Sequence, residues 1–206
     1  ELRHRAKRDV VVHTDAEAAT WAEYIARASA DRFGAERERP ARFVHLRIGT
    51  GIACGAVIGG SLVRLDHDRR THLPFLVVDD TSLALPCRCG LRGCLETIAS
   101  GAALEARAAK VGLSGGLDDL EAAWRRSRDR DGAVEPDDRP VLELLEAAGD
   151  ALAMAIRNVV RHFAADVVCL GGGVTAHLPS LLEHAIDRFR RSAAAEGRVK
   201  VGGLVE

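Results

Sequence analysis

Cys87-Arg88-Cys89-Gly90-Leu91-Arg92-Gly93-Cys94-Leu95-Glu96 sets three thiols within eight residues, on a turn that Gly90 and Gly93 allow to fold tightly. The whole chain holds five cysteines, an odd number. In a reducing cytoplasm such crowding argues for a metal rather than disulfides, because neighbouring thiolates converge on one small ion. The alternative is three thiols that hold no metal. C-x-C-x4-C supplies three soft ligands and zinc takes four in tetrahedral geometry, so a fourth must come from elsewhere. His72 and His67 are the nearest upstream, and His72 is favoured because it opens an expected strand at Leu73. A closed shell of three Cys and one His is a structural site that holds a loop in place and does not activate water. Cys54 and Cys169 lie in apolar stretches and read as core.

Upstream of the cysteines, residues 43–48 read as a strand running into Gly49, Thr50 and Gly51, and residues 55–58 as a second strand closed by Gly59-Gly60. Together they form a glycine-rich hairpin, with residues 73–78 a further strand. Residues 9–12 are a short β-branched run leading into Thr14-Asp15-Ala16-Glu17, which has the form of a capping box. Ala18, Trp21, Ala22, Ile25 and Ala28 then recur at helical spacing, which predicts a helix to about Phe33 with that face buried.

Downstream, residues 95–111 read as one alanine-rich helix, and 118–128 as a short helix inside a Gly-, Asp- and Arg-rich stretch. Residues 141–164 carry a long helical pattern through Leu142, Leu145, Ala148, Leu152, Ile156, Val159 and Val160, enough for a central buried helix. Residues 166–170 form a compact apolar strand entering Gly171, Gly172 and Gly173, and residues 180–191 a closing helix. Strands alternating with helices imply an α/β or α+β layered core, with no internal repeat and no coiled coil.

Composition bounds the function classes. The 206 residues are 47% hydrophobic, with 29 basic against 30 acidic side chains and a net charge of -1. That is enough chain for one or two compact lobes, and it excludes a disordered chain. The near-neutral balance leaves no electrostatic footprint for nucleic acid or an anionic membrane. No apolar run approaches the ~20 residues that span a bilayer, and residues 1–8 are charged rather than signal-like, so a soluble cytoplasmic protein is expected. The chain opens on Glu1 and its one methionine is Met154, so it is expected to be a piece of a longer product.

Asp15 is a carboxylate at the start of a helix that leaves a strand, a place from which a general base can face a cleft. The helix dipole alone also favours an acidic residue there. Each glycine turn after a strand lets backbone N–H groups approach phosphate or nucleotide, though neither matches the G-x-x-x-x-G-K-[ST] or G-x-G-x-x-G fingerprint. His13, His162, His177 and His184 show no ligand spacing, and spacing alone gives no Ser/His/Asp triad.

Placed in order, these stations resemble the ROK family of bacterial sugar kinases and sugar-responsive repressors, which is built on the actin-like ATPase (ribonuclease H-like) fold. The family shows Asn-Asp opening a helix, a Gly-Thr-Gly-Ile hairpin, Glu-x-Gly-His, C-x-C-G-x-x-G-C-x-E and a late Gly-Gly-Gly strand end. Here these read Thr14-Asp15, Gly49-Thr50-Gly51-Ile52, Arg69-Arg70-Thr71-His72, Cys87 through Glu96, and Leu170 through Val174. The cysteine signature with its trailing Leu95-Glu96 is the most specific of them.

The resemblance implies an α/β chain that is mainly the C-terminal lobe of that fold, residues 1–206 as one unit with an inserted zinc-binding loop at about 72–96. It implies structural zinc on His72, Cys87, Cys89 and Cys94, and Asp15 as the base that deprotonates a sugar hydroxyl. Thr14, Asp15, His72 and Glu96 would meet the sugar, a hexose or N-acetylhexosamine. Gly49, Thr50 and Gly51 would approach ATP phosphates, and Gly171, Gly172 and Gly173 the adenosine, with ATP and Mg expected only of a complete kinase. A homodimer is the implied assembly, with no nucleic acid bound by this chain itself.

The departures bear on activity. Thr14 stands for the family's Asn, and a hydroxyl cannot supply the donor and acceptor pair of an amide. Arg69 puts a cation where the family has an acceptor, and Thr71 replaces a Gly. The Asp-x-Gly-x-Thr strand turn of the N-terminal lobe has no counterpart before Asp9, and neither does a helix-turn-helix. The expected function is therefore the sugar- and zinc-binding part of an ATP-dependent sugar kinase, glucokinase or N-acetylhexosamine kinase type, inactive as this isolated chain. The alternative is the effector-binding domain of a sugar-responsive regulator, in which kinase contacts decay while sugar binding and dimerisation persist. A third reading is a zinc-stabilised scaffold that binds neither sugar nor nucleotide.

Overall fold

The computed structural model describes residues 13–29, 40–63, 75–128, 138–192 and 200–203. His67, Arg69, Thr71 and His72 lie outside the described residues. Among the described residues the centre is a mixed sheet of five strands. β1 (Arg42–Ile48) pairs antiparallel with β2 (Ile52–Ile58), which continues antiparallel into the short β3 (Ser61–Leu62). On the other side β1 pairs in parallel with β4 (Val167–Gly171), and β4 with β5 (Lys200–Gly203). The β1–β4 register is closed at its start by Asp166, whose N–H donates to Arg42 O at 2.9 Å while its Oδ2 accepts from Arg42 N at 2.8 Å.

One face of the sheet carries the main core. Val44, Leu46 and Ile48 of β1 and Val168 and Leu170 of β4 are buried there against the long α5 (Arg139–Phe163), as the alternation of a strand requires. α5 buries Leu145, Ala148, Leu152, Ile156, Val159 and Val160 as its spacing predicts. Behind it lies α7 (Pro179–Ser192), joined to β4 by a one-turn α6 (Gly173–His177). α4 (Gly116–Arg128) completes this layer, and its Glu121 carboxylate accepts from both Ser180 N (3.1 Å) and Ser180 Oγ (2.7 Å) at the start of α7.

The other face is covered by α1 (Asp15–Ser29), and here the expected burial is corrected. The stripe Ala18, Trp21, Ala22 and Ile25 is exposed; Glu17, Thr20 and Tyr24 are buried instead. The cause is the close approach of α1 to β2 at Gly55, where a Cβ would come within 2.2 Å of Thr20 Oγ1. Only a small residue on the helix fits against that bare backbone, and Thr20 satisfies its hydroxyl on Ala16 O at 2.7 Å. Tyr24 then packs with Phe43, Val57 and Cys169 in a second, smaller core, its ring 5.6 Å from that of Phe43.

Two further expectations change. The strand expected at 73–78 is, in its described part, a single bridge of Val77 to Cys94. The single helix expected at 95–111 is two, α2 (Leu95–Ala99) and α3 (Gly101–Lys110), broken at an extended Ser100. Ser100 Oγ caps α3 by accepting from Ala103 N at 3.2 Å. The first N–H groups of α3 go elsewhere: Gly101 N donates to Gly49 O (2.7 Å) and Ala102 N to Thr50 O (3.2 Å). The break thus satisfies N–H groups that a helix start leaves open, and it pins α3 to the glycine turn.

Candidate functional site

The carboxyl ends of β1 and β4 meet at one edge of the sheet, where ligands of open α/β sheets are bound. The turn Gly49-Thr50-Gly51 leaves β1 here, closed by Gly49 N donating to Gly51 O at 2.9 Å, with Thr50 and Gly51 exposed. Beside it β4 ends at Gly171 and enters α6 through Gly172, at φ 107°. A Cβ on Gly172 would come within 2.4 Å of Ile48 O, so only glycine lets the second turn press against the end of β1. The two glycine turns expected from sequence, far apart in the chain, are therefore neighbours.

Two carboxylates are tied to this hairpin, Asp15 through Arg47 of β1 and Glu96 at Gly51 of the turn. Asp15 stands at the start of α1, placed by the capping box: Thr14 N donates to Glu17 Oε2 (3.0 Å) and Glu17 N to Thr14 Oγ1 (3.1 Å). The Thr14 hydroxyl is thus engaged in holding the helix start. The Asp15 carboxylate points into solvent and accepts from Arg47 Nη1 at 3.1 Å. Glu96, in α2, lies against the turn, its Oε2 3.8 Å from the Cβ position of Gly51. It receives a two-point bond from Arg88, Nε to Oε1 at 2.8 Å and Nη2 to Oε2 at 3.1 Å.

Sequence reasoning missed both arginines. Arg47 carried a signal, being the one arginine in the run Phe43-Val44-His45-Leu46-Arg47-Ile48, which is apolar apart from it and His45. Arg88 carried none, because the spacing of the cysteines drew the reading of that segment.

The cysteine turn folds as a compact loop under α2. Cys87 N donates to Leu91 O (2.8 Å), Gly90 N to Cys87 O (3.0 Å), and Val78 N and Asp79 N both to Gly93 O (2.9 and 3.2 Å). Gly90 and Gly93 take positive φ, 93° and 67°. The sulfurs of Cys87, Cys89 and Cys94 all lie within 4.8 Å of one another, and those of Cys89 and Cys94 are 3.5 Å apart. Tetrahedral zinc with bonds of about 2.3 Å separates its sulfurs by about 3.8 Å, so the three thiols fit such an ion. Burial, and then the neighbouring Cys87 and Cys89, push the Cys94 thiol up to about 12, while the Leu91 N–H draws Cys89 below its ordinary value. His72, the expected fourth ligand, lies outside the described residues. Cys54 and Cys169 are buried core residues as expected, their thiols pushed up to about 12 by burial.

Among the described residues no helix is long and apolar enough to cross a membrane. The fold is similar to that of a ROK hexokinase from Thermus thermophilus, at a TM-score of 0.76 and 25% identity, covering 98% of this chain and 62% of that one. It is also similar to a ROK family transcriptional regulator, a homolog of the E. coli MLC protein, at a TM-score of 0.68 and 22% identity, covering 98% of this chain and 49% of the regulator. In sequence the chain is 28% identical over 180 residues to the N-acetylmannosamine kinase of Haemophilus influenzae, covering 85% of this chain. It spans 52% of that kinase, so the chain covers about half the length of the relatives it matches. The pattern of the ROK family matches residues 1–201, and the chain belongs to the ROK family.

Proposed function

We propose that this chain is the sugar- and zinc-binding part of an ATP-dependent ROK sugar kinase that transfers a phosphoryl group to a hydroxyl of a hexose or N-acetylhexosamine. The observation that supports the reading is the exposed Gly49-Thr50-Gly51 turn, which has Glu96 against Gly51 and ends the strand whose Arg47 pairs with Asp15. Phosphoryl transfer is mostly positioning and charge neutralisation around an attacking oxygen, and it needs one carboxylate to accept a proton. Asp15 is that base. Glu96, with its oxygens oriented by Arg88, accepts from a second sugar hydroxyl, and His72 also meets the sugar. Gly49, Thr50 and Gly51 approach the ATP phosphates, and Gly171, Gly172 and Gly173 lie by the adenosine. Bound Mg would neutralise phosphate charge.

Zinc on Cys87, Cys89 and Cys94, with His72 as the fourth ligand, would be structural, fixing the loop from which Arg88 reaches Glu96. On this reading the protein works in the cytoplasm as a homodimer, and this chain binds no nucleic acid.

Calorimetric titration of the 206-residue chain with glucose and N-acetylmannosamine tests the reading. A hexose that binds, and binds at least tenfold more weakly to Glu96→Gln, supports it; no binding of either sugar overturns it. The chain by itself is expected not to turn over, and ATP-dependent phosphorylation of any hexose by the purified chain would overturn that part. The likeness to the regulator favours a second reading, an effector-binding domain. Hexose binding without nucleotide binding would select it.

A further inference from the structure

The geometry points to Arg47 as a further catalytic residue, whose guanidinium takes the phosphoryl group as it passes from nucleotide to sugar. The inference rests on the kinase reading above and deepens it. β1 is buried from Phe43 to Leu46, then exposes Arg47, then buries Ile48 immediately before the glycine turn. The side chain leaves the strand on the α1 face and ends at Asp15 Oδ2, 3.1 Å from its Nη1. Its fork makes no other hydrogen bond to a described residue. A guanidinium presents five donors in a plane, so toward the described residues most of its capacity stays open beside the proposed base.

Distances place the phosphoryl group within its reach. A hydroxyl that gives its proton to Asp15 sits about 2.6–3.2 Å from the carboxylate, and the phosphorus it attacks lies about 3–3.5 Å beyond it. The reacting phosphorus therefore arrives about 6 Å from Asp15, next to the turn assigned to the other phosphates. Arg47 already touches the same carboxylate from the strand that carries that turn. Rotation about its side-chain bonds takes the fork from Asp15 to the equatorial oxygens.

The step balances without further reactants. The sugar oxygen forms a bond to the γ-phosphorus of ATP as the bridging oxygen–phosphorus bond to ADP breaks, and that electron pair leaves with ADP. The hydroxyl proton goes to Asp15. Arg47 gains and loses no proton; it moves from the carboxylate to the phosphoryl oxygens, where negative charge is spread in the transition state. A guanidinium supplied from within the same chain is one established way to stabilise that charge.

The test compares Mg-ATP with Mg-ADP in calorimetric titrations of the 206-residue chain, wild type, Arg47→Ala, Arg47→Gln and Arg47→Lys, each checked for folding by circular dichroism. The wild type should prefer ATP by about tenfold or more, the size of one charge-assisted contact. Arg47→Ala and Arg47→Gln should erase the preference while leaving ADP affinity within about twofold, and Arg47→Lys should keep part of it. An ATP-to-ADP ratio unchanged in either neutral variant, or a wild type with no preference, overturns the role of Arg47 and leaves the kinase reading standing. No binding of either nucleotide overturns the role of Arg47 in this chain and leaves the kinase reading to the hexose titration.

Discussion

Arg88 holds both oxygens of Glu96, at 2.8 and 3.1 Å, while its guanidinium carbon lies 5.1 Å from the centre of the Phe75 ring. The arginine comes from inside the cysteine turn and the carboxylate from the helix that follows it. The side chain of Arg88 is 70% exposed and that of Glu96 only 16%. The pair therefore orients a half-buried acceptor more than it stabilises the fold.

Arg88→Ala should for this reason lower unfolding free energy by under about 1 kcal/mol in urea denaturation, as exposed ion pairs do. Hexose affinity should fall several-fold in calorimetry, and Arg88→Lys should not restore it, since an ammonium lacks the two-point fork. Full hexose affinity in Arg88→Ala would show that Glu96 needs no partner to hold its orientation.

The cysteine turn predicts about one zinc per chain in protein purified without chelator, measured by elemental mass spectrometry. Cys94→Ser should lose the ion, because its sulfur is one of the three that converge, whereas Cys54→Ser, in the core of β2, should keep it. Removing the metal by chelation should lower the melting temperature of the wild type and leave that of Cys94→Ser unchanged.

Adjacent glycines at the end of β4 should respond oppositely to alanine. Gly172 has φ 107° and no room before Ile48 O, so Gly172→Ala should cost more than the roughly 1–3 kcal/mol of such a backbone alone. Gly173 has nothing within 4 Å of its Cβ position and ordinary φ, so Gly173→Ala should leave stability within about 1 kcal/mol. Denaturant midpoints of the two variants decide this.

His45 gives stability a pH dependence. Burial between α1 and the sheet is the main cause that holds its pKa below 6.5; Glu23 opposes this, and Arg27 and Arg47 add to it. Neither of its ring nitrogens has a hydrogen-bond partner among the described residues. The folded state thus keeps His45 neutral where the unfolded chain binds a proton. Its contribution is present above the unfolded value of about 6.5 and is lost as pH falls from there toward the folded value, by at most about 1.4 kcal/mol per pH unit. Unfolding free energies at pH 7.5 and 5.5 should differ less in His45→Leu than in the wild type.

What could be read along the chain is what closes within a few residues. The capping box at Thr14 and Glu17 forms both of its bonds, the hairpin around Gly49 to Gly51 pairs as expected, and the three cysteines of the C-x-C-x4-C turn converge. Each depends on neighbours whose separation the backbone sets directly. Periodicity also found the long α5, because a helix buried along its length must repeat its apolar residues at the helical period.

The same reasoning failed for α1, whose largest apolar stripe faces outward. Which face is buried was decided by Gly55, a residue of another element that admits Thr20 and not Trp21. The neighbourhood of the two glycine turns was likewise decided by the parallel register of β1 with β4, which sets Arg47 opposite Gly171. The sequence by itself thus determined the local devices: a metal-ready turn, a capped helix bearing Asp15, and two glycine turns at strand ends. Only the tertiary structure decided that these devices share one end of the sheet, and that Asp15 meets Arg47 there. Contacts between residues so far apart in the chain exist only once the strands are in register and the helices are seated on the sheet.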